Sequence, residues 1–184
     1  MVNRIRQSMS RTYRVFVSSE LPLEENMFRL QGEESRYLSR VLRVEVGNVV
    51  EVLNGRGSIF RTKVVDVTGR TVVLEILESV QVEKPRVTFD LGVSLPKGGK
   101  MDEIVRQLTE LGVSSISPLF SEHGEVSNVE NRIGAKMEKW SRIAKEACKQ
   151  SGNSWLPTIQ KPRSFDQWLR DLPSDGIPLI GCLG

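Results

Sequence analysis

The sequence predicts an α+β protein of two domains, a small, mostly β barrel over residues 1–80 followed by an α/β domain over residues 86–184. Three observations carry this. Val49 to Leu53, Ile59 to Val67 and Thr71 to Leu77 are β-branched runs set apart by Asn54-Gly55-Arg56-Gly57 and Thr68-Gly69-Arg70, which are hairpin signals. The stretch from Arg86 to Val113 changes period part-way. Val87 to Leu95 is nearly continuous apolar or small sequence, as in a strand covered on both faces, whereas Met101, Ile104, Val105, Leu108 and Leu111 recur at helical steps. Strand and helix patterns then alternate to the last residue, as in a parallel sheet.

Taken in order, residues up to about Ser10 read as a weakly held leader carrying Arg4 and Arg6, and Tyr13 to Val17 as the first strand. Glu33 to Arg43 has Tyr37, Leu38, Val41 and Leu42 at helical spacing, so Arg36, Arg40 and Arg43 project from adjoining faces as a compact basic cluster. Gln81 to Pro85 is a polar, proline-terminated joint. Pro96-Lys97-Gly98-Gly99-Lys100 places two cations on flexible backbone at the carboxyl end of a strand, where open α/β sheets bind ligands. Ser115 to Phe120 is a second strand. Ser127-Asn128-Val129-Glu130 is a capping-box start for a long helix whose buried stripe is Ile133, Met137, Trp140, Ile143, Ala144 and Ala147, with Gly152 placed to end it. Leu156 to Ile159 is a short third strand, Ser164 to Leu172 a helix capped by Ser164 and Gln167, and Ile177 to Leu183 a fourth strand. No helix follows to cover that last strand, so the α/β domain is expected to continue past Gly184.

Composition narrows the partners. With 39% hydrophobic residues the chain can bury a core, and 26 Lys and Arg against 23 Asp and Glu give a net charge of +3. Of the 13 basic residues before Pro85, 11 are Arg, whereas the 13 from Pro85 onward are 6 Arg and 7 Lys. Arginine is the better bidentate phosphate donor, so the bias favours a nucleic-acid role for the first half. Cys148 and Cys182 both fall in apolar patterns and suggest no disulfide framework, which fits a reducing, cytoplasmic setting. With His123 as the one histidine, no zinc site of ordinary spacing can be assembled. No stretch approaches the roughly 20 apolar residues of a membrane span.

Motifs exclude several chemistries. The Gly98-Gly99-Lys100 turn is not a P-loop, because Met101 stands where the metal-binding Ser or Thr would be. No G-x-G-x-x-G follows a strand, and the G-x-S-x-G of serine hydrolases is missing.

Several separately spaced stretches, however, act together: Arg14-Val15-Phe16, YLSRVLR, VEVLNGRG, KGGKMDEIVRQLTELGV, SISPLFSE and KWSRIAKEACKQSGNSWLPTI. In this order they resemble the RsmE family of ribosomal RNA methyltransferases, from about Tyr13 to Ile159. The resemblance implies a PUA-like β-barrel and a SPOUT methyltransferase domain with a deep trefoil knot. It also implies a homodimer that uses S-adenosylmethionine to methylate N3 of one uridine in small-subunit ribosomal RNA, within the assembled 30S particle. Two departures stand out. The family's Gly-Pro-Glu-Gly-Gly loop and Leu-Gly-x-Arg-x-Leu-Arg segment, which form the knot and most of the cofactor pocket, have no counterpart up to Gly184. Asn153-Ser154-Trp155 stands where the family often has Arg after Ser-Gly.

The resemblance assigns RNA contact to Arg14, Arg36, Arg40, Arg43, Lys97 and Lys100, and makes Glu110 and Glu122 the candidate catalytic carboxylates. It leaves Leu183 and Gly184 as the start of the cofactor pocket and requires no metal. The bland readings are a solvated helix face for the arginines, a plain turn for the lysines, a helix-end carboxylate for Glu110 and loop for Ser121, Glu122 and His123. Gln150 and Ser151 approach the site or merely end the helix, and Trp140 and Trp168 fall on apolar stripes as core. With the pocket's main segments expected beyond the chain end, this form is expected to bind the cofactor weakly or not at all. A non-catalytic ribosomal-RNA-binding module is the alternative, and a basic small-molecule α/β enzyme a further one.

Overall fold

The structure, a computed structural model, describes residues 12–17, 26–120 and 133–181. These form two compact units, one from the described part of 1–87 with 144–156, the other from the described part of 88–143 with 157–184.

The first unit is a five-stranded sheet. Its strands are β1 (Tyr13–Phe16), β2 (Met27–Leu30), β3 (Val49–Leu53), β4 (Ser58–Thr68) and β5 (Thr71–Gln81), in the order β1-β3-β4-β5-β2. Among the described strands of this sheet only the β1–β3 pair is parallel. Side chains alternate across a strand, so neighbours in sequence serve opposite faces. Val15 and Val52 join the main core with Phe28, Leu30, Leu38, Val44, Val50, Val64, Val72 and Leu74. Phe16 and Leu53, one residue further on, face the other way and pack with Cys148. Thr62 is a polar residue buried within the sheet, and its hydroxyl donates to the Val50 carbonyl at 2.8 Å. The expected β4–β5 hairpin turns over Gly69-Arg70, with Thr68 opposite Thr71, but β5 runs on to Gln81 rather than stopping at Leu77.

The helix expected over Glu33 to Arg43 is broken in two. An α-helical segment α1 (Gly32–Arg36) widens into a π-helical turn over Tyr37–Val41. The closing bonds reach further than in an α-helix: the Leu42 amide donates to the Tyr37 carbonyl, five residues back, and the Val44 amide to the Leu38 carbonyl, six back, both at 3.0 Å. That extra residue lets Leu38 and Val44 both enter the core, and turns Val41, expected on the apolar face, out to 68% exposure. Arg43 lies past the turn in the left-handed region, φ +51°, so it is a helix-ending residue and not a helical one.

The second half of a long helix completes this unit. It belongs to α3, described from Ile133 to Ser151, and residues 144–151 pack against the sheet face bearing Phe16 and Leu53. The following segment is sewn to the Asn54–Gly57 loop. The Gly57 amide donates to the Ser154 carbonyl at 2.9 Å and the Leu156 amide to the Gly55 carbonyl at 3.0 Å. A Cβ at Gly57 would lie 2.5 Å from the Trp155 ring, and its φ is +90°, so both space and backbone demand glycine. Residues 144–156 thus belong to this unit although they lie past the polar joint at 81–85.

The second unit is a parallel sheet with its helices. β6 (Asp90–Ser94) leads through the Lys97–Lys100 turn into α2 (Lys100–Glu110), then β7 (Ser115–Phe120) and the first part of α3. β8 (Thr158–Ile159) and β9 (Arg163–Ser164) both pair with β7, opposite Ser115 and Ile116 and then opposite Leu119 and Phe120, as one interrupted strand. Ser164 caps α4 (Phe165–Arg170) with Gln167 in the reciprocal capping box read from the sequence. Two expectations fail. The first strand starts at Asp90, leaving Val87 and Phe89 exposed instead of covered on both faces. Residues 177–181 form no strand, and Ile177, Leu179 and Ile180 are exposed. A strand exists through its ladder, and no neighbour among the described residues supplies one. No described helix is long and apolar enough to cross a membrane.

Candidate functional site

In the first unit the basic cluster sits on α1 and the π turn. Arg36, Arg40 and Arg43 are all exposed. Arg36 Nε returns to the Gly32 carbonyl of its own helix at 3.2 Å. Beneath them the backbone is held from several sides. The buried Ser35 hydroxyl donates to the Arg70 carbonyl at 2.7 Å, which fixes the β4–β5 turn against α1. Glu34, beside it, meets Lys149 of α3 at 3.1 Å.

Lys149 is a cation in the interior, 5% exposed. Its ammonium also pairs with Glu146 at 2.6 Å and lies 4.6 Å from the centre of the Tyr37 ring. Burial opposes its charge, but hydrogen bonds and attraction from Glu146 and Glu34 overcome that, and its pKa lies above the ordinary lysine value. Glu34 shifts upward as well, since burial outweighs the pull of Lys149 on it. The adjoining Cys148 thiol is pushed up to about 12 by burial, so it is a core group and not a nucleophile.

Arg14 stands on the other side of Lys149. Its Nε pairs with Glu51 at 2.8 Å, and Nη1 donates to the Lys149 carbonyl at 3.2 Å and, more weakly, to the Gln150 carbonyl at 3.5 Å. A cation here satisfies orphan carbonyls at the negative end of a helix. Gln150 thus contributes its backbone to the end of α3, while the Ser151 hydroxyl donates to the Ala147 carbonyl. Asn153 is a turn residue whose side-chain oxygen accepts from the Trp155 amide at 3.0 Å.

In the second unit Lys97 and Lys100 are exposed on either side of Gly98 and Gly99, whose φ values of +73° and +77° let the chain leave β6 and enter α2 within a few residues. Nearby, Asp102 joins Lys139 at 2.5 Å and accepts from Trp140 Nε1 at 3.2 Å. Trp140 is buried, in the core as read, while Trp168 packs over β6 at Gly92. Leu95, Pro96, Gly99, Met101, Asp102, Lys136, Lys139 and Trp140 enclose a cavity of about 100 Å³. That is smaller than the roughly 300 Å³ or more of ordinary small-molecule sites. Glu110 is not brought to the lysines. It closes the far end of α2, about 15 Å along the axis at 1.5 Å per residue, and pairs with Arg106 at 3.3 Å. Glu122, His123, Ser121, Leu183, Gly184, Cys182 and the Ser127–Glu130 cap lie outside the described residues.

Lys149 was not singled out from the sequence, although one signal existed: a lysine directly after Ala147 and Cys148 on the buried side of a helix, three residues from Glu146.

The family described as RNA methyltransferase domain matches residues 82–182, and the RNA methyltransferase PUA domain matches residues 30–77. The ribosomal RNA small subunit methyltransferase E of Synechocystis sp. is 35% identical over 93% of this chain and 54% of its own. That of Aquifex aeolicus is 36% identical over 80% of this chain and 62% of its own. A Legionella pneumophila protein assigned as a methyltransferase, solved in complex with the bound cofactor SAM, superposes with a TM-score of 0.78 at 27% identity, over 89% of this chain and 67% of that one. The chain spans about half to two thirds of the length of the curated relatives it matches. With a matched region covering more than half its length, the chain belongs to the RNA methyltransferase family that includes the ribosomal RNA small subunit methyltransferases E.

Proposed function

We propose that this chain takes part in S-adenosylmethionine-dependent methylation of N3 of a uridine in small-subunit ribosomal RNA, with the first unit binding the RNA. The observation that carries the reading is the arginine face: three exposed guanidinium side chains on a backbone fixed by buried contacts, inside the region matched by an RNA methyltransferase PUA domain. Exposed arginines on a preformed surface suit phosphate binding, because little ordering is needed when RNA arrives.

Uracil N3 carries a proton, so methylation needs a group that takes it and contacts that hold the base turned outward. Glu110 and Glu122 are the carboxylates proposed for the proton, and Lys97 and Lys100 are proposed to hold the RNA backbone. S-adenosylmethionine supplies an already activated methyl group, with Leu183 and Gly184 proposed at the start of its seat. The support for this donor is the relatives' family and the bound SAM of the Legionella structure. The finer reading adds closure of the five-stranded sheet into a PUA-like barrel, a knotted SPOUT arrangement, a homodimer, a cytoplasmic setting and the assembled 30S particle as the substrate form. Its support is the quoted motifs. The arginine face would serve equally in a second reading, in which the chain binds ribosomal RNA without modifying it.

Incubation with small-subunit RNA and methyl-labelled S-adenosylmethionine separates the two. Label at uridine N3 supports methylation, RNA binding without label supports the binding module, and neither result overturns both.

A further inference from the structure

We infer that Lys149 is a positioning residue for the arginine face, an internal cation that fixes α1 and the π turn so that Arg36, Arg40 and Arg43 meet RNA as a preformed surface. The inference rests on the RNA-binding reading of that face. Its basis is a continuous set of contacts within the first unit. Glu51 of β3 holds Arg14 of β1, and Arg14 holds the Lys149 carbonyl. The Lys149 ammonium then grips Glu34 of α1 and lies against the ring of Tyr37, the first residue of the π turn. The arginines begin two residues after Glu34. Ser35 fixes the same helix to the β4–β5 turn.

Two features argue that this is more than packing. A lysine costs free energy to bury, and a methionine of similar length would fill the space without needing Glu34 and Glu146 as counter-ions. Arg43, moreover, occupies a left-handed backbone position that an L residue enters at a cost and that glycine would take freely. An arginine held there by a pinned segment is the pattern expected where the side chain must be displayed. α1 itself is only 5 residues long, too short to be stable without such anchors.

The test uses the full chain and single-stranded small-subunit RNA, well below the unfolding temperature. Lys149→Met is expected to weaken RNA binding about tenfold and Glu34→Gln about threefold, while Lys149→Arg stays within about twofold of wild type. The deciding readout is coupling, which a merely structural residue would not produce. In an Arg36→Ala/Arg40→Ala/Arg43→Ala background, Lys149→Met should have almost no further effect on the residual RNA affinity. If the triple arginine variant binds like wild type, the reading of the face fails, and the inference with it. If the triple variant loses binding while Lys149→Met and Glu34→Gln bind like wild type, the positioning role alone is overturned, as it is if Lys149→Met weakens binding equally in both backgrounds. Should Lys149→Met not fold, Glu34→Gln decides by the same comparison.

Discussion

The two basic surfaces are built on opposite principles. In the first unit, Arg36, Arg40 and Arg43 ride on a segment tied down by Ser35, Glu34 and Tyr37. In the second unit, Lys97 and Lys100 flank two glycines in left-handed geometry, with open space around both Cβ positions. The first has its ordering entropy spent during folding; the second spends it when a ligand binds. The difference teaches that charge alone is a poor guide to an interface. What distinguishes the arginine face is the backbone beneath it.

That comparison can be broken or sharpened by substitution, and the largest effect should come from the support itself. Leu38 is fully buried beneath the π turn, and Leu38→Ala should cost about 3 kcal/mol in chemical denaturation, with RNA affinity falling alongside. Next comes the Arg36→Ala/Arg40→Ala/Arg43→Ala variant, expected to bind small-subunit RNA about a hundredfold more weakly near 0.1 M salt, with the slope of log affinity against log salt reduced by about two. An unchanged slope would mean that these side chains do not neutralise phosphates. Lys97→Ala/Lys100→Ala should weaken binding by only about fivefold, because an open turn forfeits part of its contact energy to ordering.

The smallest effect concerns pH. Lys149 has a folded pKa above the ordinary lysine value of 10.5, so its stabilising contribution is fully present below that value and is lost as pH rises through the folded pKa. Glu34, raised by burial, works against folding once it ionises, but that term is constant above its own folded pKa. The stability gap between wild type and Lys149→Met should therefore be flat from about pH 7 to about pH 9 and close only above the lysine range.

Local signals were legible in the sequence and distant ones were not. The β3–β4–β5 runs, the hairpin at Gly69-Arg70 and the Ser164–Gln167 capping box depend on neighbouring residues, and the structure has them where the pattern placed them, with β5 four residues longer. The π turn escaped because Tyr37, Leu38, Val41 and Leu42 fit a helical period; only the requirement that both Leu38 and Val44 reach the core reveals the extra residue. Strand character at Ile177–Leu183 was read from apolar composition, but composition cannot supply a pairing edge. Within the candidate site, the cations themselves could be picked out. Their support could not, because Lys149 and Glu34 are 115 residues apart in sequence and only the fold brings them together. The same holds for Arg14, whose basic character was plain but whose partners, Glu51 and the end of α3, lie far along the chain.

The most direct measurement is ultraviolet crosslinking of the chain to small-subunit RNA, followed by identification of the crosslinked peptides. Crosslinks concentrated in peptides covering residues 29–43, and lost in the triple arginine variant, are the predicted result. Crosslinks confined to other parts of the chain, with residues 29–43 unlabelled, would contradict it.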